Sequence, residues 1–173
     1  MRKALAIMAI ALAWAPAASF ANSAEGYLTL RYADDVEGGA GPGFMYTWGF
    51  ENGVRIDARL SYLHFWDPDV DMVPIEFTSA YQFETESSVS PYLGAGIGYY
   101  FLSANRGELD DDFGIQIYGG LEVELKGNFD FFVELNWLFL EADADSVFAQ
   151  DVGTETKVDL DGVGLNVGLV RRF

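Results

Sequence analysis

Eight stretches of this chain alternate apolar and polar side chains with a period of two, near 26–33, 43–50, 54–65, 72–83, 91–102, 113–125, 129–140 and 160–173. Neighbouring residues of a strand point to opposite faces, so this period reads as strand and not as helix. One face takes Leu28, Leu30 and Tyr32, then Phe44, Tyr46, Trp48 and Phe50, then Val54, Ile56, Ala58, Leu60 and Tyr62. It continues through Val73 to Phe83, Leu93 to Phe101, Phe113 to Leu125, Phe129 to Phe139 and Val163 to Leu169, every second residue. No charged residue falls on it. The opposite face holds Arg31, Arg55, Asp57, Arg59, Glu76, Gln82, Gln116, Glu122, Glu124, Asp130, Glu134 and Asn136. Between them lie Gly94, Gly96, Gly98, Gly114, Gly120, Gly164 and Gly168.

Two closed architectures can use such a pattern, a soluble barrel with the apolar set inside or a membrane barrel with it outside. The apolar residues are bulky, and together they would overfill an eight-stranded lumen, which holds modest side chains or one small ligand. Glycines suit a crowded interior and serve no purpose on a solvated exterior. The fold expected is therefore all-β, an eight-stranded antiparallel up-and-down transmembrane β-barrel. Bacterial barrels of this kind have even strand numbers, short periplasmic turns and longer outer loops. The turns at Glu51-Asn52-Gly53, Glu84 to Ser88 and Lys126-Gly127-Asn128 are short, whereas most connections on the other side are longer and strongly acidic. Aromatic residues gather at strand ends: Trp48, Phe50, Tyr81, Phe83 and Phe129 below, Tyr62, Tyr99, Phe101, Phe113, Trp137 and Phe139 above. Their amphipathic rings favour the headgroup level.

The first residues, Met1, Arg2 and Lys3, precede an apolar run from Ala4 to Ala17 and then Ser19, Phe20 and Ala21. A positive start, a short apolar core and small residues before a polar Asn22 make an export signal, expected to be cut after Ala21. Residues 1–21 are thus a signal peptide and 22–173 the barrel domain. The run is too short for a spanning helix, which needs about 20 apolar residues. The chain carries a formal charge of −17 and has no cysteine. Loss of Arg2 and Lys3 makes the mature chain more acidic still. Nucleic acid is excluded as a partner by this charge, and a lipid-modified cysteine by composition.

Three stretches, SPYLGAGIGYYF from Ser90 to Phe101, VPIEFTSAYQF from Val73 to Phe83 and GVGLNVGLVRRF from Gly162 to Phe173, resemble the small outer-membrane β-barrel domain family of OmpX-like, OmpW-like and OmpA-type barrels. The resemblance spans the whole chain after the signal and implies residence in the bacterial outer membrane. Val163, Leu165, Val167, Leu169 and the final Phe173 are similar to the terminal assembly signal read by the barrel-insertion machinery. Arg171 departs from that apolar alternation. Outer-membrane lipids and lipopolysaccharide are the other implied partners, and a monomer is expected. Members of the family range from integrity proteins and adhesins to conduits for small apolar solutes and a few lipid-modifying enzymes, so the fold alone fixes no function.

Charged residues converging on a narrow lumen must be paired or hydrogen-bonded. Arg31, Arg55, Asp57, Arg59, Glu76, Glu122 and Glu134 are expected to form an interior ion-pair network that fills the barrel. The single histidine, His64, falls on the outer face, and Ser61, three residues away, points to the opposite one. A nucleophile–base pair needs both within hydrogen-bond reach, so no enzyme, cofactor or metal site is expected. The spacings Asp67, Asp69, Asp71 and Glu141, Asp143, Asp145 could supply oxygen ligands to calcium, but lack the glycine and distal glutamate of a built loop. The function expected is a non-enzymatic structural or surface-interaction role. The alternative is an OmpW-like narrow conduit for small apolar molecules, with an inner upper wall of Leu63, Phe65, Tyr100, Phe132, Leu138 and Leu140.

Overall fold

A computed structural model describes residues 22–36, 38–67, 69–105, 109–125, 127–146 and 157–173. The export signal expected over 1–21 lies outside these residues, as do Lys126 and the acidic-loop residues Glu37, Glu108, Asp151 and Glu155. The strands are β1 (Asn22–Ala33), β2 (Gly39–Gly49), β3 (Val54–Ser61), β4 (Leu63–Trp66), β5 (Asp69–Gln82), β6 (Val89–Ala104), β7 (Asp112–Glu124), β8 (Phe129–Phe139), β9 (Glu141–Asp143), β10 (Lys157–Asp159) and β11 (Gly162–Arg172). β3 and β4 are one barrel strand interrupted at Tyr62, so the wall has eight members, each antiparallel to its chain neighbours. β11 pairs with both β8 and β1, for example Leu30 with Leu165 and Leu165 with Leu135, which closes the barrel and leaves no free edge. β9 and β10 form a small hairpin continuing β8 and β11 above the rim.

The faces follow the alternation. None of the outward positions named above is buried, and Leu28, Leu93, Ile97, Phe113 and Leu135 are each at least 60 % exposed. Such a belt is stable only against lipid. Its rings contact one another near the strand ends, Tyr81 with Phe83 below and Tyr99 with Phe101 and Phe113 above. The short turns are built by glycine: Gly53 and Gly127 have φ of 79° and 85°, a region side chains disfavour.

The strands exceed the sequence expectation at several ends. β1 begins at Asn22 instead of near 26, and β2 at Gly39 instead of near 43. Gly39-Ala40-Gly41-Pro42 looks like a loop because it lacks bulky apolar residues, yet it continues the ladder against Leu28 to Arg31. β5 and β6 also run higher than expected, pairing Asp71 with Ser103 beyond the apolar belt. There the backbone still needs its partners while water removes the pressure for alternation.

Because all wall hydrogen bonds are internal and no edge is free, the barrel should resist detergent until boiled. Unboiled and boiled samples are expected to migrate differently in a detergent gel. Identical migration would contradict a closed barrel.

Candidate functional site

The lumen divides into a polar half near the short turns and an apolar half near the outer loops. In the polar half, Arg59 from β3 reaches across to Glu134 of β8, with Nη1–Oε1 at 2.6 Å and Nη2–Oε2 at 3.0 Å. This two-point geometry suits a planar guanidinium and a carboxylate. Asp57 joins the two arginines of its own strand, accepting from Arg55 Nε at 3.1 Å and from Arg59 Nη2 at 3.2 Å. Residues two apart on a strand share a face, so this triplet is a direct product of sequence spacing. Arg55 continues towards Glu122 at 3.5 Å and Glu25 at 3.9 Å.

Neutral donors satisfy the remaining carboxylate oxygens. Thr78 and Tyr118 both donate to Asp57 at 3.1 Å, Tyr92 donates to Glu134 at 3.2 Å and Asn166 to Glu134 at 2.9 Å. Thr47 Oγ1 lies 2.8 Å from both Glu25 and Asp57. The guanidinium of Arg55 lies 4.5 Å from the ring centre of Tyr92, and that of Arg59 lies 4.2 Å from the ring centre of Tyr118. At the lower mouth Arg172 bonds Glu122 and Asp130. An open recess of about 290 Å³ lies there, lined by Ser23, Thr47, Arg55, Gln82, Glu122 and Arg172 among others.

The inward glycines make room for this layer. A Cβ on Gly120 would meet Tyr92 Cζ at 2.4 Å, and one on Gly94 would meet Tyr118 Cζ at 2.4 Å. Gly120→Ala should therefore lift Tyr92 from Arg55 and Glu134, at a cost of about 1–3 kcal/mol by overpacking. A denaturant titration in lipid vesicles checks this, and an unchanged midpoint would show that the ring yields freely.

Of the residues expected to form the network, Arg55, Asp57, Arg59, Glu122 and Glu134 come together. Arg31 and Glu76 stand apart from it. Arg31 Nη2 donates to the side-chain oxygen of Asn136 at 2.8 Å, and Glu76 accepts the Tyr100 hydroxyl at 2.8 Å. Glu25 and Arg172 are members that the sequence reading passed over. The first lies just before the expected strand, although its parity with Arg31 marks it as inward; the second shares the even parity of Gly164 and Gly168. Glu124 is exposed at the lower end.

Above Arg31 the lumen is filled by Leu63, Phe65, Met72, Tyr100, Leu102, Leu138, Leu140, Val158 and Leu160, with further apolar residues at the rim. Phe132 is not among them. It packs lower, with Tyr27, Met45 and Val170, because it sits near the start of β8 opposite Glu122 and Gly168. The wall beside the upper cluster is interrupted. Pro42 faces Tyr62, accepts its N–H at 3.0 Å and has no N–H to return. Pro74 of β5 stands beside the same break, next to the last paired residue Ile75.

At the outer rim the acidic residues act on the protein itself. Asp111, Asp161 and Asp35 accept backbone N–H groups of Leu102, Leu140 and Asp159 at 2.8, 2.6 and 2.7 Å. Lys157 bonds Glu141 at 2.8 Å in the β9–β10 hairpin and holds that carboxyl below its ordinary range. No cluster of three or more metal-ligating side chains occurs among the described residues.

On the outer surface His64 Nδ1 lies 2.9 Å from Asp71 Oδ1, which also accepts the Tyr62 hydroxyl at 2.6 Å. Ser61 is buried on the inner face. Ser103 is opposite Asp71 on β6, on the far side of the aspartate from His64. The aspartate therefore stands between imidazole and hydroxyl, the reverse of the order that activates a serine. His64→Ala is expected to leave lipid A unchanged in cells. Acyl loss from lipid A that depended on His64, seen by mass spectrometry, would establish catalysis.

Residues 65–173 match the OmpW family. No curated protein matches the chain in sequence. Among solved structures, Neisserial surface protein A is similar, with a TM-score of 0.67 at 17 % identity over 92 % of this chain and 100 % of that one. OprG from Pseudomonas aeruginosa gives 0.66 at 15 % identity over 89 % and 96 %. AlkL in lipid bilayers gives 0.64 at 13 % identity over 92 % and 94 %. At such identities the likeness is one of fold.

Proposed function

The chain belongs to the OmpW family, bacterial outer-membrane β-barrels, and from that premise we propose that it serves the outer membrane as a non-enzymatic structural or surface-interaction protein with a lumen closed to axial flow. The observation that carries this reading is the buried Arg55–Asp57–Arg59–Glu134 chain, which spans the lumen between β3 and β8 with essentially no exposed side-chain surface. An axial path would have to separate these charges, and an unpaired charge in so dry a site is costly. Residues 1–21 act as the export signal in this reading, and the terminal strand as the insertion signal.

Planar-bilayer recordings of the pure protein test it. No large steady conductance is expected, because an eight-stranded barrel encloses little more than its own side chains. Large constant currents from the unaltered chain would overturn the closed lumen.

A second reading has its own support. The apolar outer half of the lumen, next to the wall interrupted at Tyr62, Pro42 and Pro74, suits a narrow conduit for small apolar molecules that enter from outside and leave sideways into lipid. Uptake of a small apolar solute by cells expressing the barrel, against cells lacking it, distinguishes this from a purely structural role.

A further inference from the structure

The boundary between the two halves of the lumen carries a charge without a counter-charge. Arg31 is 7 % exposed, and only its Nη2 is bonded, to Asn136; Nε and Nη1 have no partner. Two amide nitrogens share this condition, Nδ2 of Asn136 and Nε2 of Gln116, in residues that are 3 % and 1 % exposed. These groups are neighbours by register. Arg31 and Asn136 both flank Gly164, and Gln116 pairs with Leu138, one inward position above Asn136.

Glu76, an inward carboxylate of β5, accepts the Tyr100 hydroxyl instead. Buried donors are almost always paired, and a buried guanidinium without an anion is strongly disfavoured. Four donor nitrogens on three side chains that the register places close together, one of them cationic, therefore suit an anion.

The roof over these donors is apolar. Ala33, Leu138 and Tyr100 belong to the cluster that continues upward through Leu63, Phe65 and Met72. A small hydrated anion has no use for such a roof, whereas the tail of an amphiphile does. Met72 in this cluster, unbranched and with three rotatable side-chain bonds, can repack around a guest. We propose that Arg31, with Asn136 and Gln116, binds the carboxylate of a small apolar carboxylic acid whose hydrocarbon part lodges in the outer half of the lumen.

This rests on the conduit reading and narrows its solute class from apolar molecules to apolar acids. The guanidinium supplies charge-assisted hydrogen bonds to the carboxylate, and the two amides complete its coordination. Below it the Arg59–Glu134 barrier stops further descent, so the bound acid can leave only by the outer mouth or through the wall.

The test uses the full mature barrel in nanodiscs of zwitterionic phospholipid, titrated with carboxyl-¹³C decanoate, 1-decanol and acetate, with empty nanodiscs subtracted. Saturable decanoate binding is expected, weakened at least about tenfold by Arg31→Gln, with Arg31→Lys in between and decanol binding the same in all three. Arg31→Gln should leave the unloaded barrel as resistant to unboiled detergent as before, or more so, because it removes a charge lacking a partner. Binding of decanol and decanoate that Arg31→Gln does not alter would overturn the proposal and leave the conduit standing. Saturable binding of neither would overturn both. Acetate binding as tightly as decanoate would reduce the site to one for simple anions and overturn the amphiphile. A variant that lost its detergent resistance would make Arg31 a structural member of the lumen and overturn the proposal as well.

Discussion

Glu134→Leu is expected to cost the folded barrel about 3–5 kcal/mol, the range found when one partner of a buried ion pair is removed. Four bonds converge on this carboxylate, two from Arg59 and one each from Tyr92 and Asn166. Leucine has nearly the same bulk and can accept none of them. Arg59 keeps Asp57 at 3.2 Å, but Asp57 already serves Arg55, so part of the positive charge is left in a dry lumen. The double variant Arg59→Met with Glu134→Leu removes both charges and should recover much of the loss. Denaturant titration in lipid vesicles measures the unaltered protein, the singles Glu134→Leu and Arg59→Met, and the double variant. If the double variant were as unstable as the sum of the singles, the pair would not be the coupled unit its geometry describes. The same singles should raise transient conductance, since the barrier they break spans the lumen.

The outward face was legible because two solvents enforce it: lipid admits no charge on one side of each strand, and a crowded lumen favours polar and small residues on the other. Strand ends were less legible. Gly39 to Pro42 carry no bulky outward side chain, and Asp69, Asp71 and Ser103 continue ladders above the lipid, where alternation loses its cause. Partners inside the lumen were legible only where spacing along one strand sets them, as for Arg55, Asp57 and Arg59.

Arg59 and Glu134 lie on nearly opposite walls, with β5, β6 and β7 between them on one side and β2, β1 and β11 on the other. Which carboxylate an arginine meets across that gap depends on barrel stagger, and stagger leaves no mark on local sequence. The same holds for Arg31 and Glu76. They share the inward face as expected, yet Asn136 and Tyr100 reach them first.

Deleting Phe173 is expected to sharply reduce outer-membrane levels in cells while leaving the purified chain able to refold in detergent. The two effects differ because they draw on different properties of one residue. In the folded barrel Phe173 is 70 % exposed at the lower end of the wall, with its N–H bonded to the carbonyl of Asn22 at 3.0 Å and its ring 5.5 Å from the Arg171 guanidinium. Full burial of such a side chain is worth about 1.5–3 kcal/mol, and one so exposed contributes only part of that. β11 is held by its ladders to β1 and β8 over nearly its whole length, so the barrel survives the deletion. Assembly is another matter if Val163, Leu165, Val167, Leu169 and Phe173 together are what the insertion machinery reads, since the last strand must be recognised before any ladder exists. Truncated protein is then expected in the periplasm or degraded, as read by fractionation and immunoblotting, with heat-modifiable migration retained after refolding in vitro. Phe173→Leu, which keeps apolar character but not the ring, should fall between the two. Normal outer-membrane levels after the deletion would make the residue a member of the interfacial girdle and nothing more.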